Sequence, residues 1–219
     1  MRRWLHEHSL ALVMFALFAL TLGGQIATGL AENNENREEH DQPPIGLTEY
    51  LSTGHFIEAV FENWESEFLQ MSAFVVLTIM LRQKGSPESR PLAGRHPTDE
   101  DPDPNAPGAP WPVRVGGPLL WVYERSLGLV LFSLFLLSLG LHAIGGAEEF
   151  NDEQTQHGSS ERVTPVGYLA TPRFWFESFQ NWQSEFMSVG ALVVLSVYLR
   201  QKGSPESKPV GAPHAETGD

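Results

Sequence analysis

Apolar and polar positions alternate along this chain in long blocks. Residues 9–31 and 126–147 contain no acidic residue, lysine or arginine. At about 1.5 Å of rise per residue, a helix of either length crosses the roughly 30 Å hydrocarbon layer of a bilayer. The pattern therefore predicts two transmembrane helices, one at each of these runs.

Two shorter apolar runs follow, at residues 68–81 and 186–199. By length alone each could instead be a buried helix of a soluble core. Each run ends in Arg-Gln-Lys and follows an amphipathic segment rich in Phe and Trp, as is typical of a membrane boundary. We therefore predict two further spans, over about residues 64–82 and 182–200.

The first run also has features of a signal peptide. Arg2 and Arg3 precede it, and Gly29-Leu30-Ala31 resembles a cleavage site. The similar run that starts at Ser126 lies mid-chain, however, where no signal peptide can be. We therefore expect the first run to be retained.

Self-comparison shows an internal repeat. The sequence WESEFLQMSAFVVLTIMLRQKGSPESRP from Trp64 matches WQSEFMSVGALVVLSVYLRQKGSPESKP from Trp182, at an offset of 118 residues. Upstream the offset becomes 117, where SLALVMFALFALTLGG matches SLGLVLFSLFLLSLGL. The sequence thus predicts a duplicated unit of long helix, acidic loop, amphipathic lead-in, second helix and basic end.

Because each unit would cross the membrane twice, both copies would have the same orientation, related by a pseudo-two-fold axis along the membrane normal. The predicted fold is an all-α, integral membrane four-helix bundle made of two tandem two-helix repeats. The predicted divisions are the first repeat (1–91), a flexible Pro- and acid-rich cytoplasmic linker (92–118), the second repeat (119–209) and a disordered tail (210–219).

Charge refines this prediction. The net charge of −13 argues against nucleic-acid binding, which requires a basic face. Most Lys and Arg residues fall on the predicted side that holds both termini, and the positive-inside rule places that side in the cytoplasm. We therefore expect a multi-pass protein of the bacterial inner membrane, with the lipid bilayer as its first partner.

The lead-in to the second helix carries a possible metal or proton site. At helical spacing one histidine and three carboxylates share a face, and such groups bind hard or borderline metals or relay protons. The second repeat keeps none of them, and a solvated outer face is the alternative. The four residues are His55, Glu58, Glu62 and Glu65, and their counterparts are Arg173, Phe176, Gln180 and Gln183.

Both repeats keep an Asn and a Glu four residues apart, namely Asn63 with Glu67 and Asn181 with Glu185. They fall in the outer part of the predicted spans, where a carboxylate is costly. This polar membrane site is either an ion, proton or ligand site or a clamp between helices. The adjacent Trp64 and Trp182 are predicted interfacial aromatic residues.

Gln25 and His142 are counterparts near the end of the first span of each repeat. A histidine inside a membrane run indicates function, whereas the property that it shares with glutamine is hydrogen bonding. Nearby glycines, such as Gly24 and Gly145, permit close helix approach. A packing role and a functional role therefore both stay open.

The segments GHFIEAVFENWESEFLQM and LRQKGSPESRP resemble those of an uncharacterised family of bacterial multi-pass membrane proteins, catalogued as a domain of unknown function. The most specific part is ENWESEFLQ at residues 62–70, and the second copy departs from it with QNWQSEFMS at 180–188. The resemblance implies a bacterial membrane protein and carries no known activity or catalytic residues.

No common hydrolase, nucleotide-binding or zinc-protease motif is present in the sequence. The sequence therefore favours a non-enzymatic protein without a cofactor, either a small transporter or channel subunit or a membrane scaffold. With only four spans, it is expected to form a homo-oligomer or to bind a membrane protein partner. The alternative is a membrane-bound metalloprotein or enzyme that uses the interfacial carboxylates.

Overall fold

A computed structural model describes residues 2–217, and this part of the chain is helical without any strand. Met1 and the last two positions of the predicted tail, Gly218 and Asp219, lie outside the described residues. The helices are α1 (Arg2–Glu7), α2 (Ser9–Glu39), α3 (Leu47–Tyr50), α4 (Gly54–Met80), α5 (Trp111–Val115), α6 (Gly117–Glu124), α7 (Ser126–Gln156), α8 (Pro165–Tyr168) and α9 (Pro172–Tyr198), with a 3-10 helix at Pro97–Asp99.

Four of these helices are long: α2 and α7 have 31 residues each, and α4 and α9 have 27. Within the described residues, α2 and α7 are the two helices long and apolar enough to cross a membrane. The first halves of α4 and α9 carry acidic and amide side chains, which lower their hydropathy. The all-α class is confirmed, and the four-helix membrane bundle stays a prediction.

Both apolar runs continue as helix past their predicted ends, and the glutamates in both extensions are good helix formers. An asparagine then ties the following loop back to the helix. Asn34 accepts the Ile45 N–H at 2.8 Å and donates to the Ile45 carbonyl at 3.1 Å. Asn151 makes the same pair of bonds with Val163, both at 2.9 Å.

Each lead-in segment and the apolar run that follows it form one uninterrupted helix, α4 or α9. A threonine before the first turn supplies the missing acceptor there. Thr53 Oγ1 accepts the Phe56 N–H at 3.3 Å, and Thr171 Oγ1 accepts the Phe174 N–H at 3.2 Å. The lead-in side chains are therefore held on rigid helices.

The chain divides into two compact units. The first unit consists of residues 1–61 and 140–174, and the second of residues 62–139 and 175–219. In the first unit, the fully buried side chains include Tyr50, His142, Tyr168 and Phe174. This unit holds most of the charged groups considered below.

The linker and tail make contacts in the second unit. Arg90 pairs with Asp99, and Lys208 Nζ donates to the carbonyls of Pro213 and His214, both at 3.1 Å. The predicted flexibility of the linker and the predicted disorder of the tail stay predictions.

Candidate functional site

Glycines bring the backbones of α4 and α7 together in the first unit. A Cβ placed on Gly145 would lie 2.5 Å from the Glu58 nitrogen and 2.8 Å from Ile57 Cγ2. A Cβ on Gly54 would lie 2.5 Å from the Glu149 nitrogen. Because real Cβ atoms do not approach so closely, only glycine permits this crossing at both positions. The crossing sets the positions of Glu58 on α4 and of His142 on α7.

Glu58 is the centre of a group of polar side chains and is only 8% exposed. The Tyr168 hydroxyl donates a hydrogen bond to Glu58 Oε1 at 3.0 Å, and Arg173 Nη2 lies 3.8 Å from the same oxygen. A nitrogen of His142 and a carboxylate oxygen of Glu58 lie within 4.8 Å of each other. A carboxylate, an imidazole, a phenol and a guanidinium thus meet inside one unit.

His142 is fully buried beside aromatic rings. Its ring centroid lies 4.8 Å from that of Phe174 and 6.4 Å from that of Tyr168. Gly146 makes room for the Tyr168 ring, since a Cβ there would overlap the ring atoms. The packing fixes the imidazole at one position next to Glu58, so both predicted roles of His142, in packing and in chemistry, are compatible with this structure.

Arg173 extends this group to a second set of carboxylates. Its Nη1 lies 2.5 Å from Glu153 Oε2, a charge-assisted contact. Because Arg173 also faces Glu58, one guanidinium joins two carboxylates of the first unit. We call Glu58, His142, Tyr168, Arg173 and Glu153 the polar cluster.

Glu149 lies next to the polar cluster, two residues beyond the apolar stretch that ends at Ala147. Burial raises its pKa to about 7, and the charges of Glu153 and Asp152 add to that effect. Arg173 and the backbone N–H of His55 act in the opposite direction. Glu149 therefore changes its charge near neutral pH, although an ordinary glutamate does so near pH 4.3.

Of the predicted face, His55 and Glu58 belong to the first unit and Glu62 and Glu65 to the second, and a single site there stays a prediction. His55 Nδ1 lies 3.2 Å from the Tyr50 hydroxyl, whereas Glu65 is fully buried and accepts a hydrogen bond from Trp182 Nε1 at 3.0 Å. Among the described residues, no group of three ligand atoms within 4.8 Å includes more than one of these four side chains. Glu58 and Glu65 are both buried, which does not fit a solvated face at these two positions.

The retained Asn–Glu pairs lie in the second unit. Asn63 and Glu67 are exposed, Asn181 and Glu185 are half-buried, and the charge of Glu185 acts on Glu67. Trp182 is bound to Glu65, so this indole has a hydrogen-bonding role besides any interfacial one. The choice between an ion site and a clamp for these pairs stays open.

Two other predicted residues have simple surroundings. Gln25 is exposed, and its Nε2 donates to the Ala59 carbonyl at 3.4 Å, which joins α2 to α4 in the first unit. Trp64 is half-buried, with its ring centroid 6.5 Å from that of Phe68. Gln25 thus forms a hydrogen bond between helices, and its partner in this bond is a backbone carbonyl.

Sequence reasoning missed Tyr168, Arg173, Glu149 and Glu153. A signal existed for Tyr168, because Tyr50 and Tyr168 are identical counterparts at the offset of 118 residues. Arg173 was one of the few basic residues on the predicted acidic side. The two glutamates lie in a run of acidic residues that gives no indication of which carboxyl is buried.

The whole chain was compared with protein families, curated proteins and solved structures. No curated protein and no solved structure matches it. One family profile, described as a domain of unknown function, matches residues 1–219. The chain therefore belongs to the DUF6766 family, as the resemblance in its lead-in segments implied.

Proposed function

We propose that this chain is a multi-pass protein of the bacterial inner membrane that carries protons through the polar cluster, as a small transporter or channel subunit. One observation supports this most strongly. His142 is fully buried within a predicted span, beside the buried carboxylate of Glu58. Ionisable groups in membrane segments are costly, by about 2.5–3.5 kcal/mol at the bilayer centre, and they mark proton and ion pathways.

The multi-pass arrangement is supported by the surface of α2. In its most apolar stretch no residue is buried, and Leu10, Phe15 and Leu20 are more than two-thirds exposed. A lipid bilayer, or a second copy within it, removes this surface from water at a gain of about 25 cal/mol per Å². The basic residues after α4 and α9 then favour the cytoplasm for both termini.

The chemistry of the polar cluster suits proton transfer. Imidazole holds a proton on either nitrogen, a carboxylate accepts one, and the Tyr168 hydroxyl can donate one and accept another. Arg173 stays charged at all relevant pH values, so it orients Glu58 and Glu153 without exchanging a proton. Glu149 would exchange protons with the acidic end of the first unit near neutral pH.

The test is proton flux into liposomes that contain the purified chain, followed with an internal pH-sensitive dye under an imposed potential. We expect flux for the wild type and a loss of at least about tenfold, typical for removal of a proton-transfer group, in Glu58→Gln and in His142→Gln. Glu49→Gln is the matched control, because Glu49 is exposed on α3. Wild-type flux no higher than that of empty liposomes would contradict the proposal and favour the membrane scaffold.

A further inference from the structure

Two histidines from different helices lie side by side in the first unit. His40 is the residue that caps the end of α2, and His157 directly follows α7. They are counterparts at the offset of 117 residues. Their ring centroids lie 6.4 Å apart, with an angle of 73° between the ring planes. Both residues are exposed, so this pair of imidazoles is open to solvent.

The Nδ1 atoms of both rings are bound in the same way. His40 Nδ1 lies 2.8 Å from the Asn36 carbonyl oxygen, and His157 Nδ1 lies 2.8 Å from the Glu153 carbonyl oxygen. A carbonyl oxygen only accepts hydrogen bonds, so each Nδ1 carries a proton and donates it. In the neutral imidazole the other nitrogen, Nε2, then has a free lone pair. Histidines that bind metals have this arrangement, because their second ring nitrogen donates to a carbonyl or carboxylate oxygen.

The separation of the two rings fits one shared metal ion. Bonds of about 2.0–2.1 Å from a metal to two imidazole nitrogens put the ring centroids about 5–6.5 Å apart, as the N–metal–N angle opens from tetrahedral to linear. The observed 6.4 Å lies at the upper end of this range. Rotation of the two exposed side chains is enough to reach a smaller angle, so neither helix has to move.

The charge around the two histidines also favours a cation. The C-terminal ends of two 31-residue helices lie here, and each carries about half a negative charge from the helix dipole. Residues 35–41 contain four carboxylates and one arginine, and residues 152–162 contain three carboxylates and one arginine. Oxygen atoms of the chain bind both arginines: Arg37 Nε donates to the Pro43 carbonyl, and Arg162 Nη2 donates to the Thr155 hydroxyl.

From this geometry we infer that the first unit binds one divalent transition-metal ion, such as Zn²⁺ or Cu²⁺, through the Nε2 atoms of His40 and His157. Imidazole is a preferred ligand of these ions, whereas Mg²⁺ and Ca²⁺ take oxygen ligands. Within residues 2–217, neither histidine belongs to a group of three ligand atoms within 4.8 Å of one another. The two imidazoles are therefore the protein ligands, water completes the coordination, and the ion joins the ends of α2 and α7.

This inference goes beyond the proposed function, because metal binding is measured without any proton flux. The full chain in detergent, freed of metal with a chelator, is titrated calorimetrically with Zn²⁺. We expect one ion per chain in the wild type. We also expect a loss of at least about tenfold in affinity in both His40→Gln and His157→Gln, since even an outer-shell change at a metal site costs about 10–100-fold. Both positions are exposed, so these variants should keep the fold.

His8→Gln is the matched control. His8 is exposed, and its Nδ1 lies 2.8 Å from the carbonyl oxygen of Trp4, four residues earlier. Its ring stacks on that of Trp4 and not on a second histidine, so we expect wild-type affinity in this variant. Absence of Zn²⁺ binding in the folded wild type would overturn the inference, and so would equal affinities in His8→Gln and His40→Gln.

Electron paramagnetic resonance of bound Cu²⁺ counts the imidazoles on the ion. We expect nitrogen couplings from two imidazoles in the wild type and in His8→Gln, and from one imidazole in His40→Gln and in His157→Gln. Two imidazoles in either of these last two variants would mean that another histidine is a ligand, which would overturn the pair. Flux without metal binding would sink this inference alone, and metal binding without flux would sink the proposed function alone.

Discussion

The two halves of the chain use similar local contacts and place different chemistry on them. Tyr50 and Tyr168 are buried counterparts, and Gly29 and Gly146 lie against their rings. Tyr50 meets His55 of its own half, whereas Tyr168 donates to Glu58 of the other half. The shared residues therefore maintain packing, and the residues that differ decide which titratable groups become buried.

The acidic C-terminal ends of α2 and α7 also carry matching residues in different surroundings. Glu32 and Glu149 are counterparts at the offset of 117 residues. The Glu32 side chain is 74% exposed and lies 3.7 Å from His55 Nε2, whereas Glu149 is partly buried with a pKa of about 7. Exchanging counterparts between the halves is therefore the sharpest way to test which differences matter.

The largest effect is expected from Gly145→Thr, which copies Thr28 into the second half. Its Cβ would meet the Glu58 nitrogen and Ile57 Cγ2 at the α4–α7 crossing. Overpacking against backbone should lower the free energy of unfolding by about 3 kcal/mol. Denaturant titration in mixed micelles measures this, with Thr28→Gly expected to cost only about 0.5 kcal/mol. Equal losses in the two variants would contradict the crossing.

The next effect is expected from Glu58→Phe, which copies Phe176 into the first half. It removes the Glu58 oxygen that accepts a hydrogen bond from Tyr168 and leaves Arg173 with one carboxylate fewer, so we expect a loss of about 2 kcal/mol of stability. Glu58→Gln keeps an oxygen for Tyr168 and should lose less than half of that. The same denaturant titration in micelles checks that Glu58→Phe is less stable than Glu58→Gln. A Glu58→Phe variant as stable as wild type would contradict the buried hydrogen bond between Tyr168 and Glu58.

The raised pKa of Glu149 predicts that the free energy of unfolding depends on pH. Its pKa is raised in the folded state, so the folded chain holds this proton more tightly than the unfolded chain does. Stability from this group is complete at low pH and falls as the pH rises from about 4.5 to about 7, by on the order of 1–2 kcal/mol. Unfolding curves measured across this range in wild type and Glu149→Gln check it.

The matched control for Glu149 is Glu32→Gln, because Glu32 is its exposed counterpart. Glu149→Gln should reduce the loss of stability between pH 4.5 and 7, and Glu32→Gln should leave it in place. If both variants follow the wild-type curve, the burial of Glu149 is not the cause of the pH dependence.

The smallest effect on stability is expected from His142→Gln, which copies Gln25. It removes the ring contact with Phe174, worth about 1 kcal/mol, and keeps a side chain that can hydrogen-bond. Gln25→His, at an exposed position, should change stability by less than about 0.5 kcal/mol. Thermal unfolding in detergent compares the two variants. A larger loss of stability in Gln25→His than in His142→Gln would contradict the packing role given to His142.

Much of the fold follows from local patterns in the sequence. Residues 9–31 and 126–147 lie within α2 and α7, because long apolar runs without proline form helices. The lead-in segments are helical, as their amphipathic pattern predicts. The positions at which α2 and α7 end were less predictable, since Asn34 and Asn151 fix the loops through bonds to residues eleven and twelve positions later.

The polar cluster depends on contacts that no local pattern shows. Glu58 and Tyr168 are 110 positions apart, and their hydrogen bond depends on Gly145 allowing α4 to approach α7. The helical spacing grouped Glu58 with His55, Glu62 and Glu65. Periodicity shows which residues share a face of one helix, but it does not show which other helix packs against that face. His142 was recognised as a candidate because a titratable ring in an apolar run is unusual.

The most direct test of the account is proton flux through liposomes that contain the exchange variant Gln25→His/His142→Gln. This variant moves the histidine from the second half to the corresponding position in the first and keeps the composition of the chain. Because a nitrogen of His142 lies within 4.8 Å of a Glu58 oxygen, we expect flux to fall to the level of His142→Gln alone. Wild-type flux in the exchange variant would contradict the claim that the polar cluster of the first unit carries the protons.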